Sequence, residues 1–488
     1  MEKNNKIEEK YLYQSLLEYQ ESDYYPFHMP GHKRNIEQLP VWNPYGIDIT
    51  EIDGFDNLHD AKGILSDSMK RIANFRRAEE SFYLVNGTTC GILAGIASCC
   101  SRGDEILVGR NCHKAVYHGI STLGLVPRYI YPHSYQDFYI NCGYLSEKIE
   151  KMLTTFKNIK MVLLTSPTYE GIVSDIETIT NIVHKYEIPL MVDQAHGAHF
   201  GMHKDFPVSA VEYGADIVVE SVHKTLPSYT QTALLHVQGN MVNRRNLRKY
   251  LGIYQTSSPS YIMMAGIEWC QKYCASEKGK KAFDTYMEEL HKLREQFTQF
   301  KYIRLFQPQK GVAGCKSYDD GKLVFGVADN LMSGQELYDR LQKQYHLQLE
   351  MASLYYVIAM TSVMDRKEGF ERLIKALEEI DRELEEVNLG NNIEQLMKES
   401  VIIEFPIQNE QICIPFEAEL AKGEWVNFRE AFGRISKSYL YLYPPGIPFL
   451  VPGEKISEKV IAFVEKCKMA ELEIKGMDEE QLEVMVNE

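Results

Sequence analysis

Two neighbouring stretches decide the fold: IPLMVDQAHGAHF, residues Ile188–Phe200, and GADIVVESVHKTLPSYTQTALLH, residues Gly214–His236. IPLMV and DIVV are short apolar runs bounded by turn-prone residues, the pattern of strands covered on both faces of a parallel sheet. The first run ends on Asp193; the second ends at Ser221, with Lys224 just past it. Open parallel α/β sheets gather their chemistry at the carboxyl ends of the strands. An acid at one such end and a lysine near another predict a pyridoxal phosphate (PLP) site. The lysine would carry the cofactor as a Schiff base, and the aspartate would pair with the pyridinium nitrogen.

Outward from this pair the chain keeps a strand–helix rhythm. SFYLV, EILVG, VPRYIY and KMVLLT read as strands. NGTTCGILAGIASCC, the segment from about Cys112, and residues near 145–156 and 175–186 read as helices. The alternation predicts an α/β fold, a mostly parallel sheet with helices on both faces. Residues 244–300 turn helical and charged, and a smaller α+β part is expected from about Tyr302. KLVFGV, LQLEM and YYVIAMTS look like its strands, SGQELYDRLQKQY and KEGFERLIKALEEIDRELEEV like its helices. The expected divisions are 1–60, an N-terminal helix and arm; 61–301, the PLP-binding large domain; and 302–488, the C-terminal α+β domain.

Before the first strand, Tyr11, Leu12, Leu16 and Leu17 mark an amphipathic helix over Ile7–Gln20. PFHMPGHKRN (26–35) reads on composition as a rigid surface loop. DITEIDGFDNLHDAKGIL (48–65) carries five acids without the regular ligand spacing of a calcium site, and reads as a structured loop. The tail after Met469 is acidic and is expected as a docked helix or a frayed end.

The 488 residues are 44% hydrophobic and 25% charged, ordinary for a globular enzyme of two or three domains. A net charge of −15 argues against sequence-independent nucleic-acid binding and mildly favours a cationic substrate. No apolar run approaches a membrane span, and the start MEKNNKIEEKYLYQ lacks the apolar core of a signal peptide, so a cytoplasmic location is expected. Ten cysteines without a CxxC pair read as core thiols of a reducing compartment.

Asn86-Gly87-Thr88-Thr89 lies between a strand and a helix start, where free N–H groups and the helix dipole would hold a phosphate. Thr also favours an ordinary N-cap, and the stretch is not GxGxxG, so both readings stand. An ionised Asp193 beside a pyridinium would keep that ring protonated. Lys224 must be deprotonated to attack an aldehyde, and desolvation moves a lysine in that direction. Ser221-Val222-His223-Lys224 is a strong local pattern for a PLP lysine whose neighbours help hold the phosphate. His113, in RNCHKAV, either caps the next helix or stacks on the cofactor ring. His196 stays within reach of Asp193 and is the better active-site candidate; His199 reads as structural. HGAHF lacks HExxH spacing and no cysteine cluster completes it, which argues against zinc, and no GxSxG elbow supports a serine hydrolase. No metal is expected.

With these residues in hand the sequence resembles the ornithine/lysine/arginine decarboxylase family, in its short form without an N-terminal receiver-like wing. The resemblance spans most of the chain: FHMPGHK, DITEIDGFDNLH, NGTTCG, RNCHKAV, TSPTYEG, DQAHGAHF, SVHKTLPSYTQTALLH, QTSSPSY and LYPPGIPFLVPGE. It implies an aspartate-aminotransferase-like (fold type I) large domain with a smaller α+β C-terminal domain. It implies Lys224 as the Schiff-base lysine, Asp193 at the ring nitrogen and His113 stacked on the ring. Gly87, Thr88, Thr89, Ser221 and His223 would cradle the phosphate, and His196 would line the substrate side. Ser257 or Ser258 would reach the phosphate of a neighbouring subunit, so a homodimer or higher homo-oligomer with shared active sites is implied. Gln194 departs from the glutamate common among relatives.

The implied reaction takes CO₂ from a basic amino acid whose α-amine displaces Lys224, with His223 or the released Lys224 returning a proton to Cα. The products would be agmatine, cadaverine or putrescine, within polyamine metabolism, with arginine the first choice of substrate. Glu417 and Glu419 are available carboxylates for the distal cation, with no motif to choose between them. The alternatives are an aminotransferase or other PLP lyase on the same fold, since fold does not fix reaction, or a catalytically silent PLP-fold binding protein.

Overall fold

Seven strands form the central sheet of the computed structural model, which describes residues 12–486 apart from 136–137, 139, 310, 329–330, 391–405 and 445. They are β1 (Glu80–Leu84), β2 (Glu105–Gly109), β3 (Val126–Ile130), β4 (Ile159–Thr165), β5 (Leu190–Asp193), β6 (Ile217–Glu220) and β7 (Ala233–Val237). Their order across the sheet is β1-β7-β6-β5-β4-β2-β3. Every neighbouring pair is parallel except those made by β7, which runs against both β6 and β1. The sheet is therefore mixed but mostly parallel, as the apolar runs predict.

Side-chain alternation explains why both faces are covered. Ile106, Val108, Met161 and Leu163 point into a cluster with Ile92 and Ile96 of α1 (Gly87–Cys99), Val116 and Ile120 of α2 (Lys114–Leu123) and two leucines of the helix Arg244–Tyr254. The intervening Leu107, Val162, Leu164 and Val192 point the other way. They meet Ile149 and Leu153 of α3 (Ser146–Thr155) and Ile179 and Val183 of α4 (Ile176–Lys185). A period of two on strands that are apolar at every position dictates a three-layer sandwich.

Beyond the sheet, helices Tyr261–Ala275 and Glu277–Gln296 lead to a four-stranded antiparallel sheet of residues 303–305, 322–327, 357–360 and 351–352, in that order. Residues from 406 onward build a separate apolar cluster around Phe428, Phe449 and Phe463. Buried Arg110, at the end of β2, ties this part to the large sheet through a bidentate pair with Glu454, 3.0 Å at its shorter contact.

Three expectations are corrected. The tail is neither helix nor fray: Gln481–Met485 is a strand antiparallel to Gly423–Asn427, with Leu482 and Val484 turned inward. Its period of two is hidden by Glu483 between those apolar residues and by the acids 478–480 just before the strand. LQLEM divides at Glu350: Leu347–Leu349 pairs in parallel with Tyr25–Phe27, while Met351–Ala352 joins the antiparallel sheet. The loop 26–35 is not on the surface. Lys33 and Asn35 are buried, Gly31 N–H donates to His223 O at 2.7 Å, and a Cβ on Gly31 would lie 2.7 Å from Leu226 N. Glycine is required there because two backbones touch. The first helix is described over Leu12–Glu21, and its Leu12, Leu16 and Leu17 are 75%, 58% and 56% exposed, so this chain leaves its apolar face uncovered. Residues 7–11 of the expected helix lie outside the described residues. All ten cysteines are unpaired thiols, most of them buried.

Candidate active site

A cavity of about 350 Å³ opens where β5 and β6 end. Val219 of β6 sits level with Asp193 of β5, so the turn after β6 carries Lys224 toward the same space. Both residues line the cavity. Asp193 is buried and its Oδ1 accepts from Ala195 N–H at 3.1 Å. Burial pushes its carboxyl up, opposed by Lys224 and by that N–H. Burial pushes the Lys224 amine down, opposed by Asp193 and Glu350. Each group thus moderates the other's desolvation, the behaviour of opposite charges at short range.

The start of α1 forms a second wall. Gly87, Thr88 and Thr89 line the cavity, and Thr88 Oγ1 is 3.2 Å from Ser221 Oγ. Asn86 holds the N-cap position but makes no side-chain cap bond, which leaves the first-turn N–H groups to whatever the cavity holds. Gly87 has φ +71°, the left-handed region that glycine enters freely.

Three histidines complete the lining. His113 caps α2: its Nδ1 accepts from Ala115 N–H at 3.2 Å, so the neutral ring carries its proton on Nε2. Burial and the charge of Lys224 hold it down at about 3. His223 pairs its Nδ1 with Thr232 O at 2.8 Å, a contact that puts the proton on Nδ1. Burial holds it at about 4. His196 lies 2.8 Å from Lys224 Nζ, and burial with two nearby lysines keeps it well below the usual histidine range. All three rings are neutral near pH 7.

The predicted residues therefore meet in one cavity, apart from Ser257 and Ser258. These two are exposed on the turn between helices Arg244–Tyr254 and Tyr261–Ala275 and do not line the cavity of their own chain. His199 lies outside it, its Nε2 paired with buried Asp319 at 3.1 Å. Glu417 Oε2 accepts from Ile414 N–H at 3.3 Å, and Glu419 accepts from Ser121 and Tyr439. Neither faces the cavity. The carboxylates that do, besides Asp193, are Glu170 and Glu350. Sequence reasoning missed Glu350, whose Oε1 accepts from Tyr169 OH at 2.6 Å and Oε2 from Met29 N–H at 2.9 Å. A carboxylate inside an apolar strand pattern was the signal available. Tyr443 and Ile447, from the motif near the C-terminus, close the cavity over His113.

The donor set fits PLP. An amine stands across from a buried carboxylate, with a helix start and three hydroxyls on the adjoining wall. Also lining the cavity, Thr165 Oγ1 and Asn141 Oδ1 are buried polar atoms without a protein partner, as expected around a polar occupant. Among the described residues no group of three or more His, Cys, Asp or Glu side chains could hold a metal ion.

Residues 11–322 match the model of the Orn/Lys/Arg decarboxylase major domain, and residues 416–483 match that of the C-terminal domain. Arginine decarboxylase of Bacillus subtilis is 29% identical over 97% of this chain and 96% of its own length. The uncharacterized protein YaaO of the same organism is 31% identical over 98% of both chains. The solved lysine decarboxylase LdcF of Francisella novicida superposes with a TM-score of 0.76 at 20% identity, covering 96% of this chain and 80% of that one. Alanine–glyoxylate aminotransferase of a Nostoc species shares the fold at a TM-score of 0.55 and 13% identity, over 78% of this chain and 99% of that one. The fold is thus that of fold-type-I enzymes.

Proposed function

This chain belongs to the Orn/Lys/Arg decarboxylase family, the premise from which we propose that it removes CO₂ from a basic amino acid with PLP held at Lys224. The observation that carries the reading is the single cavity shared by Lys224, Asp193 and the start of α1. Lys224 would hold the cofactor through its amine, Asp193 would sit at the ring nitrogen, and Gly87, Thr88, Thr89, Ser221 and His223 would take the phosphate. Bound there, PLP supplies the electron sink for the pair released at Cα as CO₂ departs.

The chain's own residues do the rest. Asp193, buried and facing an amine, would keep a proton on the ring nitrogen, so that the ring stays cationic and can accept the electron pair. Met29 and Pro30 of the packed arm and Tyr443 of the C-terminal part roof the cavity and limit access of water. Neutral His196, in contact with Lys224, is placed to take or give a proton at that amine. Glu170 and Glu350 place two carboxyl groups on the remaining wall, acceptors suited to a substrate whose far end is a cation. Arginine comes first because full-length relatives near 30% identity carry the name arginine decarboxylase, whereas those named lysine decarboxylase stand at 21%. Polyamine synthesis in the cytoplasm follows from that product chemistry.

The exposed apolar face of the first helix and the exposed Ser257 and Ser258 support a homodimer or higher homo-oligomer. Among the described residues no helix is long and apolar enough to cross a membrane. The deciding experiment incubates the protein and PLP with arginine, lysine and ornithine separately and traps CO₂. Release of CO₂ from arginine at the highest kcat/KM is the expected result. Keto-acid formation without CO₂ would replace this reading with transamination, and absence of a cofactor absorbance band would replace it with a silent binding protein.

A further inference from the structure

His196 stands between two lysines. Its Nε2 lies 2.8 Å from Lys224 Nζ, and its Nδ1 lies 2.9 Å from Nζ of Lys322. Lys322 opens the strand Lys322–Val327 of the antiparallel sheet, is 1% exposed, and reaches the large sheet from the far side of the imidazole. Buried Asp319, three residues earlier, supplies its counter-charge, and its Nζ also lies 5.8 Å from the centre of the Tyr169 ring.

Hydrogen-bond polarity then runs in one direction. An ammonium has donors and no acceptor. At Nδ1 it requires a lone pair, which leaves the single proton of a neutral imidazole on Nε2. An Nε2–H facing Lys224 must donate, and an amine that accepts is uncharged. We propose that Lys322 is a positioning residue: it fixes His196 as the Nε2–H tautomer and thereby presents Lys224 with a donor that keeps its amine in the free-base form. This rests on Lys224 being the amine that carries PLP.

The surroundings are consistent with a charged Lys322 beside a neutral ring. Burial lowers Lys322 to about 8, opposed by Asp319 and Glu350 and aided by Lys224 and Lys33, so it remains an ammonium at neutral pH. Asp319 is held as an anion by His199, Lys322 and Gly321 N–H despite its burial. His113 and His223 also face His196 and are neutral. No other protonation pattern satisfies both contacts of His196 with Lys322 charged.

The test uses the full chain loaded with PLP. In wild-type protein labelled with ¹⁵N-histidine, the His196 signals, identified by their loss in His196→Gln, should show a bare Nδ1 and a protonated Nε2. The reverse assignment overturns the proposal whether or not Lys322→Met folds. In Lys322→Met the pH midpoint of the cofactor's visible band should rise by about one unit, a tenfold change in proton affinity. In the His196→Gln background the same substitution should leave the midpoint in place. No rise, or an equal rise in both backgrounds, overturns it, the latter because charge acting through space would need no imidazole. A wild type that shows no cofactor band at all refutes the PLP reading and takes this inference with it. A band with the wrong tautomer refutes the inference alone.

Discussion

Two buried polar clusters flank the end of β6, and they are built on opposite plans. In one, Glu220 accepts from Arg76 at 2.6 Å, from Gln194 at 2.7 Å and from His236 at 3.3 Å, and His236 bonds to Ser81 at 2.7 Å. Arg76 and His236 outweigh the burial of Glu220 and hold its carboxyl below the usual range. In the other, four residues along, the row Lys224–His196–Lys322 places two amines on one imidazole. Burial pushes all three down, and nearby cations add to it at His196 and Lys322. A carboxylate paired with three donors acts as a rivet. The row holds its protons weakly, and at its Lys224 end an amine kept in the free-base form is a nucleophile.

The largest expected effect falls on the row. Lys224→Ala should abolish CO₂ release and the cofactor band while the thermal midpoint moves by no more than about 3 °C; a large loss of stability would erase the contrast between the clusters. Glu220→Ala should do the reverse. It leaves Arg76 buried without its carboxylate and should lower the unfolding free energy by ~3–5 kcal/mol in denaturant titrations.

A third comparison uses pH. Lys322 binds its proton more weakly when folded, at about 8, than when unfolded, so its burial penalty is complete below pH 8 and fades as pH rises toward the unfolded lysine value. Wild-type stability should therefore gain from this group across pH 8 to ~10, by at most on the order of 3 kcal/mol, and Lys322→Met should flatten that rise. The smallest effect is expected at Gln194, whose amide donates to Glu220 and Ser209 and accepts from Ala210 N–H. An ionised carboxylate cannot donate, so near neutral pH the amide is what makes all three bonds. Gln194→Glu should cost ~1–3 kcal/mol at pH 7 and recover part of it as pH falls and the new acid protonates.

Much of this was legible in the chain. β5 and β6 announced themselves as apolar runs with a polar residue at each end, and local pattern was enough to pair Asp193 with Lys224. His113, His196, His223 and the threonines followed, because each lies just past a strand. Lys322 and Glu350 did not, because each sits inside a segment that reads as an ordinary strand. A lysine opening KLVFGV looks solvated until the fold buries it against His196. The packing of loop 26–35 was hidden for a related reason: Pro, Gly and His describe a turn equally well on the surface or inside. The C-terminal strand was masked by the acids 478–480 that lead into it and by Glu483 on its outward face.

The contact at Gly31 has a consequence for how the cavity comes into being. The arm and the lysine turn meet backbone to backbone, so the roof carrying Met29 and Pro30 is seated only when that glycine lies flat on Thr225 and Leu226. Assembly of the cofactor cradle is thereby chained to the homecoming of a segment remote from it in sequence. A molecule clipped or displaced at the arm would keep its sheet and its lysine yet stand roofless, its amine open to the solvent.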